Sequence, residues 1–267
     1  MTGLAAIYRA QFKTSVAGML QYRGALVIWL LELLLEPIIY LAVWRAVASA
    51  QGGEVDGFTA GDFAAYFVAT MIINHATFTW IMWEFDWRVR QGSFSPLLLR
   101  PIHPIHKDIA ENLGYKYLTL SVILPAAVVL AITFDARFDT SVWAVLAFVP
   151  ALVMAYGIRF AVEWTLAMTA FWTTRNGAVN QLYYPVLLFL SGQAAPLALY
   201  PEPIRVLAAI LPFRWFVAFP AELVLGRLSV RETLLGFGAQ AVWLALAAVI
   251  LQAVWRRGIR RYSAVGA

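Results

Sequence analysis

Long apolar segments separated by short polar stretches extend along almost the whole chain. A helix needs roughly 20 apolar residues to cross the hydrocarbon core of a bilayer, and six segments meet that length. They cover residues 25–48, 63–83, 117–134, 141–172, 178–199 and 233–255. The pattern therefore predicts an all-α membrane protein with six transmembrane helices. The fourth span is longer than a membrane requires, so we expect it to tilt or to project into water.

The segment before the first predicted span, residues 1–24, has an amphipathic pattern. Apolar residues such as Tyr8 and Phe12 recur at helical spacing, while Arg9 and Lys13 lie on another face. This periodicity predicts a helix lying in the cytoplasmic membrane interface, with a disordered tail as the alternative. The apolar stretch that follows is long enough to span, so we do not interpret the segment as a cleavable signal peptide.

The connection at residues 84–116 is long, polar and basic. A glycine break at Gly92 precedes a short amphipathic turn that contains Leu97, Leu98 and Leu99 and ends at Pro101. A second helix is expected to start near Lys107 and to continue into the third span. Three consecutive leucines are unusual in a solvated loop, so we expect this segment to dock in a groove of a cytosolic partner. A solvated loop is the alternative.

The segment at residues 191–231, between the fifth and sixth spans, is apolar but interrupted by prolines. Each proline removes a backbone donor and stops or kinks a helix. The prolines are Pro196, Pro201, Pro203, Pro212 and Pro220. Short re-entrant helices that dip into the outer leaflet fit this pattern better than a seventh span, and such backbone must face protein or water.

Composition supports a single membrane domain. Apolar residues make up 62% of the 267 positions and only 13% are charged. Soluble domains usually contain about 45–50% apolar residues. The net charge of +5 is modest, so we expect no nucleic-acid partner. The chain has no cysteine, which excludes disulfides and thiol chemistry.

The distribution of positive charge predicts the orientation. Of the 20 Lys and Arg residues, thirteen lie in connections on one side of the predicted spans and five on the other. Positive charge accumulates in cytoplasmic loops. Both termini and the 84–116 connection are therefore expected in the cytoplasm.

The sequence offers no catalytic motif. It contains neither a P-loop, which would cradle ATP phosphates, nor a Gly-x-Ser-x-Gly nucleophile elbow. His103, His106 and Asp108 are close in sequence, but Pro104 separates the histidines and no further ligand pattern repeats, so we interpret them as polar loop residues rather than a metal site. We therefore predict that the chain is not an enzyme.

Four ionisable residues fall inside predicted spans, where charge is costly and usually functional. Glu32 and Glu36 lie four residues apart in the first span, and Arg159 and Glu163 lie four apart in the fourth. That spacing lets Arg159 and Glu163 pair along one helix. Two interpretations stay open: these residues line a pathway or couple helices at a subunit interface, or they form structural contacts.

The chain resembles the permease subunits of bacterial ABC-2-type exporters over nearly its whole length. Residues 90–101, Arg-Gln-Gly-Ser-Phe-Ser-Pro-Leu-Leu-Leu-Arg-Pro, are similar to a family stretch in which a basic residue and a glycine precede Leu-Leu-x-Arg-Pro. The similarity is greatest to a branch whose operons often encode two related permeases and one ATPase. The spaced prolines of residues 191–212 are a second match.

The resemblance implies a pair of permease subunits, identical or related, in the bacterial inner membrane, with cytosolic ATPase subunits bound beneath them. ATP and Mg²⁺ would bind to those partners, and this chain would carry no cofactor. The N-terminal helix would help to embrace the ATPase, and the re-entrant helices would shape the outer exit. Leu97 to Leu99 would bury against the ATPase. The implied coupling residues are Arg90, Gly92, Leu97, Leu98, Leu99, Arg100, Pro101 and Pro104.

Two other functions are compatible with an apolar, multi-span chain. An ion-coupled secondary transporter would use Glu32 and Glu36 as proton sites, although the two halves show no obvious repeat. A membrane enzyme acting on lipid would need a nucleophile or a metal cluster that the sequence does not offer. No feature of the sequence selects a transported substrate.

Overall fold

A computed structural model describes residues 3–21, 23–173 and 177–262. The helices are α1 (Leu4–Gln21), α2 (Arg23–Ala50), α3 (Ala60–Thr77), α4 (Ile81–Arg90), α5 (Ser95–Leu98), α6 (Pro104–Thr133), α7 (Val142–Ala167), α8 (Gly177–Leu190), α9 (Glu202–Ile210), α10 (Ala218–Val224) and α11 (Val230–Arg261). Short 3₁₀ turns cover Met168–Phe171, Leu197–Leu199 and Phe213–Trp215. The described strands are β1 (Glu54–Val55) and β2 (Phe58–Thr59), which pair antiparallel.

Local signals in the sequence account for several helix starts. Thr59 and Asp62 form a capping box at the start of α3, and Ser229 and Glu232 form another at the start of α11. In each box the hydroxyl accepts from one free backbone N–H and the carboxylate accepts from another. Pro104 is the first residue of α6, a position where the missing N–H costs nothing.

Three helical segments among the described residues are long and apolar enough to cross a membrane: Pro104–Thr133, Val142–Phe171 and Val230–Arg261. Large apolar side chains on these helices are exposed, including Val129, Val153 and Val249. Exposed apolar faces on long helices suit a hydrocarbon solvent. The predicted helical membrane class is therefore confirmed, while the number of six spans stays a prediction.

The predicted second span, residues 63–83, is not one helix. Helix α3 ends at Thr77, and α4 begins at Ile81 after a short non-helical segment. The segment contains no Gly or Pro, which is why periodicity alone did not reveal the break. Its backbone is instead held by polar side chains from other helices.

Two other predicted boundaries also differ. The 84–116 connection is largely helical, because α4 continues to Arg90 and α6 begins at Pro104 and runs without interruption into the predicted third span. The predicted fifth span, 178–199, is a shorter helix that ends at Leu190. A turn with Gly192 at φ +85° follows it, a backbone conformation that favours glycine.

Helix α7 occupies the centre of the fold, where it contacts α3, α4, α10 and α11. The 191–231 region forms two 3₁₀ turns, α9 and α10, with Phe216, Phe219 and Leu223 buried. These short helices match the predicted segmentation by proline. Their depth in a membrane stays a prediction.

Candidate functional site

A tight turn joins α4 to α5. Gly92 has φ +71°, in the left-handed region, and the backbone N–H of Phe94 donates to the carbonyl oxygen of Arg88 at 3.1 Å. Helix α5 is a single turn of four residues, and residues 99–103 lead from it to α6. The chain therefore forms a compact turn at residues 91–103, which we call the α5 turn.

Aromatic rings fix the α5 turn to the rest of the fold. The fully buried Phe94 packs against Phe85, Phe171 and Tyr262, with ring centroids 4.8–5.5 Å apart. The hydroxyls of Ser95 and Tyr262 lie 2.8 Å apart and share a hydrogen bond. The cluster therefore ties the turn to α4, to the end of α7 and to the last turn of α11.

Close packing at the end of α11 requires glycine. A Cβ at Gly258 would lie 2.5 Å from Cδ2 of Phe171 and 2.9 Å from Cη2 of Trp172. Real Cβ atoms essentially never approach so closely, so the absence of a side chain lets α11 reach the aromatic cluster.

A buried ion pair joins α4 to α6. One guanidinium nitrogen of Arg88 lies 2.5 Å from Asp108 Oδ1, and the other lies 2.6 Å from Glu84 Oε2. The indole N–H of Trp164, on α7, donates to Asp108 Oδ2 at 2.9 Å. Both oxygens of Asp108 are thus satisfied, as a buried charge requires. The pair holds three helices in one arrangement beneath the α5 turn.

His103 caps the start of α6. Its Nδ1 accepts from the backbone N–H of Ile105 at 3.2 Å, and its ring lies 4.3 Å from that of Trp255, centroid to centroid. Burial, with a smaller effect of nearby His106, lowers the pKa of His103. The neutral ring is the form that can accept a hydrogen bond from the backbone. The two histidines therefore have structural contacts.

Helix α1 lies along the first half of α6. The hydroxyl of Tyr8 and Nδ1 of His106 share a hydrogen bond at 2.9 Å, and Phe12 packs edge-on against Tyr117 at 5.7 Å. Arg9 and Lys13 are exposed on the other side of the helix. The two faces predicted from periodicity are present, and part of the apolar face contacts α6 rather than lipid.

A second buried polar cluster surrounds the break between α3 and α4. Nε of Arg159 lies 2.8 Å from Glu163 Oε1, and both side chains are buried, with 1% and 0% of their surface exposed. Glu163 also accepts from the hydroxyls of Thr79 and Tyr183, and Arg159 donates to Asn74 Oδ1 at 2.8 Å and Thr77 Oγ1 at 3.0 Å. This cluster connects α7 to α3, to the break and to α8.

At the break between α3 and α4, Lys116 donates a hydrogen bond to a backbone carbonyl oxygen. The carbonyl oxygen of Phe78 accepts from Lys116 Nζ at 2.6 Å. Lys116, which was expected at the end of a cytoplasmic loop, is buried on α6. Non-helical backbone away from water needs such a partner. The cluster therefore supports the structural interpretation of Arg159 and Glu163.

The comparison with protein families matches residues 34–266 to the model described as "ABC-2 family transporter protein". The chain belongs to the ABC-2 transporter family. The match covers most of the chain and confirms the resemblance to an ABC-2 permease. Family members are membrane components of transporters and are typically not catalytic. The comparison with curated proteins finds no match.

The permease presents only part of the predicted coupling segment at its surface. Leu99 is 88% exposed, and Arg100 and Pro101 are exposed beside it. Arg90 is also exposed and pairs with Asp86 at 2.7 Å. Pro104 is buried as the first residue of α6.

The three leucines differ in burial. Leu97 is enclosed by the core of the permease itself, and the contact of Leu98 and Leu99 with an ATPase stays a prediction. Leu97 is 7% exposed and belongs to the main core, and Leu98 packs against that core. Phe94, Leu97 and Leu98 share one face of the single helical turn, whereas Leu99 lies beyond it. Leu99, Arg100 and Pro101 are three consecutive exposed residues, which we call the exposed tip.

The predicted intramembrane carboxylates do not all meet. Glu36 is exposed on α2 and accepts from Gln193 Nε2 at 3.4 Å. It lines one small pocket with Asn74, which accepts from Arg159. The side chain of Glu32 lies outside the part of the structure that is described. Membership of an ATP-binding cassette family gives no support to the ion-coupled alternative.

Sequence reasoning missed the residues that complete the buried clusters. Asn74, Thr77 and Thr79 are polar residues inside an otherwise apolar predicted span. Their polarity is the sequence feature that could have indicated a buried polar cluster. Their pairing with α7 depends on helix packing, so the sequence pattern could not assign it. Arg88 and Asp108 fall in the connection predicted to be polar, yet both are buried.

Proposed function

We propose that this permease is the membrane-spanning subunit of an ATP-driven exporter. ATP and Mg²⁺ would bind to separate cytosolic ATPase subunits, and two permease chains, identical or related, would form the pathway in the bacterial inner membrane. Both termini and the α5 turn would face the cytoplasm, as the distribution of Lys and Arg predicts. The re-entrant helices α9 and α10 would lie on the outer side.

The observation that carries this proposal is the exposed tip on a rigid base, in a chain of the ABC-2 family. Leu99 offers a large apolar side chain to the surface, and Arg100 offers a positive charge. Interfaces gain most from an apolar anchor beside a charge that sets orientation. The tip has the features of a contact site for a cytosolic protein.

The base beneath the tip supports transmission of movement. The Phe94 cluster joins the turn to α11, and the Arg88–Asp108 pair joins α4 to α6 and α7. Packed helices move as units rather than deforming continuously. An ATPase that pushes the tip would therefore move long helices of the permease.

Charge reversal at the tip tests the proposal. We expect Arg100→Glu to lower co-purification of the permease with its ATPase subunit by roughly tenfold, because a complementary charge becomes repulsive. Leu99→Asp should act in the same direction by removing the apolar anchor. Both positions are exposed, so the fold should persist, as a thermal unfolding midpoint would verify.

The matched control is Arg205→Glu, an exposed arginine on α9 at the opposite predicted side. It should leave co-purification unchanged. Equal ATPase recovery from Arg100→Glu, Leu99→Asp and the unaltered chain would refute the assignment of the tip. If Arg205→Glu were the one variant that lost the ATPase, the side of the permease that carries α9 would face the cytoplasm, opposite to the proposed orientation.

A further inference from the structure

A cavity of about 850 Å³ lies between α1, α4 and α6, apart from the exposed tip. One wall consists of α1 residues Ser15, Gly18 and Met19, and α4 and α6 form the others. Cavities of roughly 300–1,000 Å³ are typical of small-molecule sites. The space is therefore large enough for an organic ligand.

Three indoles line one wall of this cavity. Trp80, Trp83 and Trp87 follow one another at helical spacing, and they are 37%, 43% and 57% exposed. The face of an indole ring attracts cations as well as apolar groups. A ligand with an apolar body and a positive charge would gain from both properties.

The charged groups around the cavity leave an excess of negative charge. Three carboxylates line it, from Glu84, Asp108 and Glu111, against two cations, Arg88 and Lys107. Arg88 lies 2.5 Å from Asp108, and Lys107 lies 2.5 Å from Glu111. Arg88 also pairs with Glu84 at 2.6 Å, so two cations are shared among three carboxylates and one net negative charge remains. The side chain of Glu84 is 53% exposed and lines the cavity with the indoles.

A buried acceptor without a donor points to the same ligand chemistry. Asn112 lines the cavity and is only 9% exposed, and its Oδ1 has no hydrogen-bond partner among the described residues. Its Nδ2 is directed to the carbonyl oxygen of Phe78 at 3.5 Å. An unsatisfied buried oxygen costs stability until a donor reaches it. An N–H group of a ligand would supply that donor.

We propose that this cavity binds an amphipathic organic cation, with its apolar body against the indoles and an ammonium group directed to Glu84 and Asn112. The inference adds a ligand class to the exporter proposed above and rests on that proposal only for transport. Binding itself requires no ATPase. Failure of the exporter proposal and failure of this one are therefore distinguishable.

Three ligands with one apolar body test the proposal: 1-pyrenemethylammonium, the neutral 1-pyrenemethanol and the anionic 1-pyrenecarboxylate. Each is titrated calorimetrically into the whole permease in non-ionic detergent, against a matched detergent blank. We expect the cation to bind most tightly and the anion least. Trp87→Ala should weaken cation binding by roughly 2- to 30-fold, the range of a cation–aromatic contact.

Glu84→Gln removes the negative charge of the carboxylate and keeps the size of the side chain. It should weaken binding of the cation and leave binding of 1-pyrenemethanol unchanged, because only the cation uses the carboxylate. Trp143→Ala and Glu54→Gln are matched controls at exposed positions outside the cavity, and neither should alter binding. Trp87→Phe should restore part of the affinity that Trp87→Ala loses.

Equal affinities for the three ligands would overturn the proposal, since they would mean that the cavity takes any apolar body, including membrane lipid. Preference for the anion would overturn it as well. Cation binding that is unchanged in both Trp87→Ala and Glu84→Gln would place the ligand elsewhere on the permease.

Discussion

Replacement of Arg159 by alanine is expected to lower the free energy of unfolding by about 3–5 kcal/mol, because it leaves the buried carboxylate of Glu163 without its cation. Both side chains are buried, and Arg159 also donates to α3. The variant would lose the ion pair and the contacts that hold α3 beside α7. Unfolding in mixed micelles, followed by circular dichroism, measures the change.

The double variant Arg159→Leu with Glu163→Leu distinguishes the cost of an unpaired buried charge from the loss of the contacts between α3 and α7. It removes both charges, so we expect it to recover a substantial part of the loss. Arg205→Ala, at an exposed position, should change the unfolding free energy by less than about 0.5 kcal/mol. An Arg159→Ala variant as stable as the unaltered permease would contradict the buried cluster.

Replacement of Asp108 by alanine is the second change with a large expected effect. It leaves Arg88 buried without its closest carboxylate and removes the acceptor of the Trp164 N–H. Glu84 still pairs with Arg88 at 2.6 Å, so we expect a loss of about 1.5–3 kcal/mol in unfolding free energy, the range for hydrogen bonds to charged groups. Since the pair orients α4 against α6, ATP-driven transport should fall even where the protein remains folded.

The control for Asp108→Ala is Asp139→Ala, which replaces an exposed residue in the connection after α6. This variant should keep its stability within about 0.5 kcal/mol. Transport would be measured in vesicles that contain the permease and its ATPase, at a temperature below the unfolding midpoint of both variants. An Asp108→Ala protein with normal stability and transport would show that the pair does not position the α5 turn.

Much of the helical content follows from local sequence. The long apolar runs predicted α7 and α11, and Pro104 marks the start of α6. The break after Thr77 did not follow, because it depends on Lys116 and on α7 side chains that are distant in sequence. Hydropathy averages a segment and cannot register a backbone interruption that other helices stabilise.

The sequence also predicted part of the candidate site, but not the contacts between helices that complete it. The spacing of Arg159 and Glu163 predicted that they could pair, but their partners on α3 required the fold. The leucine run predicted an apolar turn, whereas its division into buried Leu97 and exposed Leu99 follows from helical geometry over four residues. The cavity beside Trp87 arises from the way α1 lies on α6, which no sequence pattern specified.

Site-directed photocrosslinking tests the central claim, that the exposed tip contacts an ATPase, most directly. The chain contains no cysteine, so Leu99→Cys and Arg205→Cys each provide a single labelling site for a thiol-reactive benzophenone. Each labelled permease is illuminated in membranes that contain the proposed ATPase subunit. The account predicts a crosslinked permease–ATPase product from Leu99→Cys and none from Arg205→Cys. A product from Arg205→Cys with none from Leu99→Cys would contradict it.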